Sequence, residues 1–224
     1  MDQKRRIGIY GGSFDPVHVG HLEIAKRAEE LFEFDEVVFV PALVAPHKLK
    51  RAVTSHLHRY AMLALATNDD TSLVVSTFEL EAPDRRYTVD TVAHFQGEFG
   101  EAELFFIMGA DSWAEITTWR EWERLLSMVN HLVVTRPGVE LPIVDLPGDV
   151  RKRIVDLRGS SNEKKIKGSV GTGTIFISDV VMMDISATEI RRAISANRLT
   201  ELKAWVPDPV ARYIEKYDLY RDFE

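Results

Sequence analysis

Gly11-Gly12-Ser13-Phe14-Asp15-Pro16-Val17-His18-Val19-Gly20-His21 joins one apolar run to another of different period, and this junction decides the fold. Before it, Ile7, Gly8, Ile9 and Tyr10 read as a buried strand; after it, Leu22, Ala25, Ala28 and Phe32 recur at helical spacing. The glycines therefore occupy a strand-to-helix turn, where a missing Cβ lets backbone N–H groups approach an anion. His18 and His21 fall three apart on the first helical turn, so they share a face beside free N–H groups and the positive end of the helix dipole. That arrangement suits a polyphosphate. It is not a Walker loop, since no glycine precedes Lys-Ser or Lys-Thr, and Gly8, Gly11 and Gly12 do not fit the dinucleotide fingerprint. A zinc site is the other reading of two histidines at this spacing. The chain has no cysteine, and no carboxylate stands at ligand spacing beside the pair.

At 224 residues, with 45% hydrophobic and 28% charged side chains, the chain is long enough for one well-packed domain, expected over 1–224. No apolar run approaches transmembrane length, and the opening Met1-Asp2-Gln3-Lys4-Arg5-Arg6 leads into a strand without a signal-peptide core. A soluble cytoplasmic protein is expected. The absence of cysteine excludes disulfides, cysteine nucleophiles and thiolate metal sites. A net charge of −7 argues against broad nucleic-acid binding, so an anionic ligand must be held by a local pocket.

Beyond the first helix, strand and helix alternate. Glu36 to Val40 reads as a strand, Arg59 to Ala66 as a helix and Leu73 to Ser76 as a strand. Thr88 is a candidate cap for a helix to about Phe99, followed by a strand at Leu104 to Met108, an aromatic helical region through Leu126 and a strand at Leu132 to Thr135. The alternation predicts an α/β fold: a Rossmann-like, doubly wound parallel sheet with a small C-terminal helical part. Its ligand crevice should lie beyond the carboxyl ends of the strands. Residues 159–173 are polar, glycine-rich and aperiodic and read as a mobile loop; Ile175 to Ser178 and Val180 to Met183 read as strands.

Ile185-Ser186-Ala187-Thr188-Glu189-Ile190-Arg191 opens another helix, with Ser186 and Glu189 at capping-box spacing. An ordinary helix start is one reading. A second cluster of anion donors is the other, since Thr188, Arg191 and backbone N–H groups stand together there. Lys48 follows Pro41-Ala42-Leu43-Val44-Ala45-Pro46-His47 on a proline-stiffened loop after the second strand; taken alone it reads as a surface lysine.

The glycine-histidine segment resembles the signature of the nucleotidylyltransferase superfamily, which is related to the HIGH motif of class I aminoacyl-tRNA synthetases. Within that superfamily the chain resembles the bacterial nicotinate mononucleotide adenylyltransferases along nearly its whole length. The matches are Pro46-His47-Lys48, Tyr87-Thr88 with Thr91, Gly109-Ala110-Asp111 with Trp119, Thr135-Arg136-Pro137-Gly138, and the Ser186 to Arg191 segment, where Ala187 replaces the family's second serine. The resemblance implies that His18 and His21 contact the triphosphate under attack. It implies further that Gly12, Ser13, Gly109, Asp111, Ser186, Thr188 and Arg191 bind ATP, and that Lys48, Thr88, Trp119 and Arg136 bind the mononucleotide. Trp119 is distinguished from Trp113 and Trp122, both expected in the core, by the resemblance alone.

The implied reaction joins ATP and nicotinate mononucleotide into nicotinate adenine dinucleotide and pyrophosphate, a step of NAD biosynthesis, with Mg²⁺ held mainly by substrate phosphates and no dedicated metal cage. No nucleic-acid or membrane partner is expected, and the oligomeric state is open. Alternatives are a phosphopantetheine or nicotinamide mononucleotide adenylyltransferase and a noncatalytic nucleotide-sensing module. A class I synthetase would need a tRNA-binding extension and a lysine-rich second signature, neither of which is seen.

Overall fold

The computed structural model describes residues 4–43, 54–81, 87–135, 141, 143, 146–159, 166, 168–179 and 185–223. In chain order they form β1 (Arg6–Gly12), α1 (Val19–Phe32), β2 (Glu36–Pro41), α2 (His56–Thr67), β3 (Leu73–Val75), the single turn α3 (Phe78–Glu81), α4 (Thr88–Phe99) and β4 (Glu103–Gly109). There follow α5 (Ala110–Ala114), a 3-10 turn at Ile116–Thr118, α6 (Trp122–Met128), β5 (Asn130–Val134), α7 (Gly148–Arg151), β6 (Ile154–Asp156) and β7 (Ile175–Ser178). Helices α8 (Ala187–Ser195), α9 (Leu199–Trp205) and α10 (Asp208–Lys216) follow the last strand.

The seven strands pair in parallel in the order β3-β2-β1-β4-β5-β7-β6. From β1 the chain winds outward to β3, then crosses back and lays β4 on the other side of β1. The order therefore reverses between β1 and β4, and a crevice opens beyond their carboxyl ends. Gly12 ends one of these strands and Gly109 the other.

Alternating side chains send each strand into two cores. Phe105 and Ile107 of β4 face α1, α2 and the C-terminal helices, where Phe32 packs 5.2 Å from Phe105 and 4.9 Å from Phe176. Leu104, Phe106 and Met108 face α4 and α6, beside a fully buried Trp113. Gly8 keeps this packing possible at the centre of the sheet, because a Cβ there would sit 2.9 Å from the Phe34 ring. Among the described residues no helix is long and apolar enough to cross a membrane.

One local expectation is changed, and two features are added that the sequence does not show. Tyr87 rather than Thr88 caps α4: the Tyr87 carbonyl accepts the Asp90 and Thr91 N–H groups at 3.0 and 3.3 Å, so Thr88 is the first helical residue. Residues 154–156 form an edge strand that the sequence does not announce, because three residues with one exposed face carry no period. Three described residues of the 159–173 loop are hydrogen-bonded to the first residues of β1 and β4. Arg6, 1% exposed, donates to the carbonyls of Phe32 (2.7 Å), Ile166 (2.6 Å) and Gly168, and Glu103 pairs with Arg6 at 2.8 Å while accepting the Val170 N–H at 2.6 Å. The expected strand at Val180 to Met183 lies outside the described residues.

Candidate active site

The turn after β1 is shaped by what its glycines omit. A Cβ on Gly12 would meet the Phe14 ring at 2.8 Å, and one on Gly11 would meet the Phe106 ring at 3.1 Å. Phe14 itself is bent into the left-handed region at φ 47°, which turns its ring inward against Tyr10 and His21 at 5.5 and 5.0 Å. The chain enters α1 through a reciprocal cap made of two histidines. The His18 N–H donates to His21 Nδ1 at 3.2 Å, and the His18 carbonyl accepts the His21 N–H at 2.9 Å. Their rings stack at 3.6 Å and 24°, an approach that Gly20 permits, since a Cβ there would meet the His18 ring at 3.1 Å. Because Nδ1 of His21 accepts, its neutral ring carries the proton on Nε2, as a donor.

Two adjoining cavities open at the carboxyl ends of the strands. The larger, about 590 Å³, is lined by His18, His21, Gly109, Asp111, Ser186, Thr188 and Arg191. The smaller, about 310 Å³, is lined by Ser13, Glu79, Tyr87, Thr88, Trp119 and Arg120. Gly11, Gly12, Ser112 and Glu115 belong to both. The starting glycines therefore form the wall the two cavities share. Of the three tryptophans near this region, Trp113 is fully buried, Trp122 packs against the core and Trp119 lines the smaller cavity.

The second cluster is more constrained than its sequence suggests. Ser186 Oγ accepts the Glu189 N–H at 3.2 Å and donates to the Glu189 carboxylate at 3.1 Å, so its hydroxyl is engaged by the cap of α8. Arg191 reaches across to the first motif: Nη1 donates to the Asp15 carbonyl at 2.5 Å and Nη2 to Thr188 Oγ1 at 3.2 Å. Lys48 and Arg136 lie outside the described residues.

Two residues not singled out from the sequence help to build the site. Arg59, 1% exposed, donates to the carbonyls of Ser13 (2.7 Å), Leu43 (3.0 Å) and Thr54 (3.0 Å), knitting together the ends of β1, β2 and α2. Burial lowers its affinity for a proton, with Asp15 as the main opposing charge. Its signal was a charged residue in an apolar stripe, since Arg59, Met62 and Leu63 share the buried face of α2. Glu79, on the wall of the smaller cavity, accepts a 2.6 Å hydrogen bond from Thr91, and burial pushes its carboxyl up to about 7. No period or motif marks Glu79. Among the described residues no group of three or more His, Cys, Asp and Glu side chains is disposed to hold a metal ion.

The cytidylyltransferase-like family matches this chain over residues 9–193. A "Probable nicotinate-nucleotide adenylyltransferase" of Thermoanaerobacter sp. (strain X514) is 40% identical over 225 residues, covering 100% of this chain and 98% of the relative. Another of that name, from Thermus thermophilus, is 40% identical over 216 residues, 96% of this chain and 100% of the relative. The solved Plasmodium falciparum nicotinic acid mononucleotide adenylyltransferase complexed with NaAD superposes with a TM-score of 0.72 over 98% of both chains at 19% identity, a likeness of fold. The chain belongs to the cytidylyltransferase-like family and, within it, to the nicotinate-nucleotide adenylyltransferases.

Proposed function

We propose that this protein transfers the adenylyl group of ATP to nicotinate mononucleotide, giving nicotinate adenine dinucleotide and pyrophosphate. The observation that carries the reading is the pair of cavities meeting at Gly11 and Gly12. ATP fills the larger cavity and the mononucleotide the smaller, so the two reacting phosphates meet beside Gly11 and Gly12, where the cavities join and the chain carries no side chain.

A phosphate oxygen of the mononucleotide attacks the α-phosphorus of ATP in line. The new P–O bond forms as the bond to the bridging oxygen breaks, and pyrophosphate departs with the electron pair. The attacking oxygen is already ionised near neutral pH, so no general base is required. What remains is positioning and the neutralisation of charge building on phosphate oxygens. His21 donates from Nε2 toward those oxygens, and His18, stacked on it, holds that ring in place and adds its own donor. Arg191, Thr188 and the N-terminus of α8 take the distal phosphates; Gly109 and Asp111, at the start of α5, address the nucleoside. With its hydroxyl engaged by Glu189, Ser186 contributes through the backbone it shapes.

On the other side, Trp119 stacks on the pyridine ring, and Thr88 with nearby backbone N–H groups receives its carboxylate. Lys48 and Arg136, by family resemblance, anchor the mononucleotide phosphate. Bound with ATP, Mg²⁺ would neutralise part of the negative charge on the phosphate oxygens. The larger cavity has only Asp111 and Glu115 as carboxylates among its described lining, which fits a cation carried mainly by phosphates and water.

The test is pyrophosphate release with ATP against nicotinate mononucleotide, nicotinamide mononucleotide and phosphopantetheine. Release with the first supports the proposal. Release only with phosphopantetheine, or ATP binding without release from any acceptor, overturns it.

A further inference from the structure

Beyond α10 the chain turns back toward the phosphate side of the site. Asp218 and Tyr220 take left-handed φ values of 49° and 66°, the second unusual for so bulky a side chain, and Leu219 packs on the core with its N–H bonded to Ile214 O at 3.1 Å. These bends carry two aromatic rings to the two motifs that flank the larger cavity. The Tyr220 hydroxyl donates to Asp15 Oδ1 at 2.8 Å, and the guanidinium carbon of Arg191 lies over the Phe223 ring, 4.4 Å from its centroid.

Both contacts converge on one link. Asp15 is 5% exposed; its Oδ2 accepts the Thr54 N–H at 3.3 Å, and its carbonyl accepts the 2.5 Å bond from Arg191 that joins the β1 turn to α8. An Asp15 Oδ2 to Arg191 Nη1 distance of 4.0 Å adds charge attraction to the same link. Tyr220 stays a donor over the whole working range, because burial and the Asp15 charge hold its hydroxyl protonated well above the usual tyrosine value.

We infer that residues 217–223 are a strap that positions Arg191 and the Asp15 turn for the ATP phosphates, with Tyr220 and Phe223 as positioning residues for adenylyl transfer. The inference rests on the reading of Arg191 as an ATP ligand. A long arginine side chain loses substantial rotamer freedom when a phosphate fixes it, and a ring held against it removes much of that freedom beforehand. Aromatic support of a cation acts through the ring's electron density and supplies no competing carboxylate to neutralise the guanidinium. Tyr220 acts at the other end of the link, fixing the carboxylate of the residue whose carbonyl Arg191 grips.

The test uses the full chain with Phe223→Ala, Phe223→Trp, Tyr220→Phe and Arg191→Ala, measuring kcat, both KM values, thermal stability and direct binding of a non-hydrolysable ATP analogue. Phe223→Ala is expected to weaken the analogue and raise the KM for ATP about 3- to 10-fold, the size of an aromatic–cation contact, with the mononucleotide KM unchanged. Phe223→Trp should restore both values. Tyr220→Phe should move the ATP values in the same direction, and Phe223→Ala should add nothing in an Arg191→Ala background. If Arg191→Ala weakens ATP while Phe223→Ala and Tyr220→Phe do not, the strap is overturned and the ATP role of Arg191 stands. Parallel losses for both substrates that track a fall in melting temperature reduce the segment to a structural one. Unchanged ATP binding in Arg191→Ala removes the reading of that residue and the strap with it.

Discussion

Thr91 donates its hydroxyl to Glu79 at 2.6 Å on the wall of the smaller cavity, fixing a carboxyl group where a carboxylate-bearing substrate is proposed to bind. Burial raises Glu79 to about 7, against the opposing effects of the Thr91 hydroxyl and the Arg59 charge. The unfolded chain releases this proton near 4.5, whereas the folded one keeps it to about 7. Stability from this group is therefore complete below pH 4.5 and falls as pH rises to about 7, by at most about 3 kcal/mol. Glu79→Gln should match the wild type near pH 5 and exceed it at pH 8. Urea melts at both values check this, and a pH-independent difference between the two proteins sinks it.

His131 gives the opposite slope. Enclosed in β5, it is held down to about 3 by burial first and by the Arg153 charge second. The unfolded chain binds the proton near 6.5 and the folded chain does not, so stability is full above that value and declines as pH falls toward 3, by at most about 5 kcal/mol. His131→Leu removes the titrating group and should shift the acid unfolding midpoint to lower pH. An unchanged midpoint in circular dichroism would show that this histidine does not drive acid unfolding.

His21→Ala should fold and lose about a hundred- to a thousandfold in kcat, the usual effect of removing one donor from developing transition-state charge, about 2.7–4 kcal/mol. It also removes one acceptor from the double-histidine cap, so a stability loss of about 1 kcal/mol is expected alongside. Steady-state rates at saturating substrates, with a melt of the same sample, separate the two effects. Wild-type turnover in a folded variant refutes the role.

Nicotinate mononucleotide should be preferred over its amide. A carboxylate only accepts hydrogen bonds, whereas the amide turns two N–H donors toward Thr88 and the backbone N–H groups around it. A Glu79 that retains its proton joins those donors, while an ionised one would accept from the amide and repel the acid. The preference should therefore be widest below about pH 7 and narrow above it. Discrimination of this kind reaches about 10⁴–10⁵ where the donors are rigid. Comparable kcat/KM for the two mononucleotides at pH 6 would leave adenylyl transfer intact and remove the selectivity.

The central architecture is legible because its causes are local. Ile7 to Tyr10 alternate between two cores, and Gly11, Gly12 and Gly20 each mark a place where a ring comes within about 3 Å of a missing Cβ. The placement of His18 and His21 follows from the same turn. Other features depend on distant contacts. Arg6 pins carbonyls more than 150 positions away, which no window of sequence reveals. Glu79 gains its character from Thr91 and from burial, neither of which has a pattern at its own position. Thr88 looks like a cap, but the Tyr87 carbonyl starts the helix one residue earlier and leaves Thr88 lining the cavity.

The pinning of Arg6 also divides the central strand between two kinds of selection. β1 carries a buried ion pair and three carbonyl contacts at its first residue and the shared wall of the cavities at its last two. About 20 Å of extended chain separates them. A substitution at Arg6 strands the Glu103 carboxylate and frees the carbonyls of Phe32, Ile166 and Gly168, so its effect falls on how long the molecule survives in the cell. A substitution at Gly11 or Gly12 leaves that anchorage intact but drives a Cβ against the Phe106 or Phe14 ring at the wall the cavities share, so it strikes the packing and the shape of the candidate site together. One seven-residue strand thus carries an anchorage at one end whose loss is a loss of molecules, and at the other a cavity wall where the same side chain that reshapes the site also strains the core.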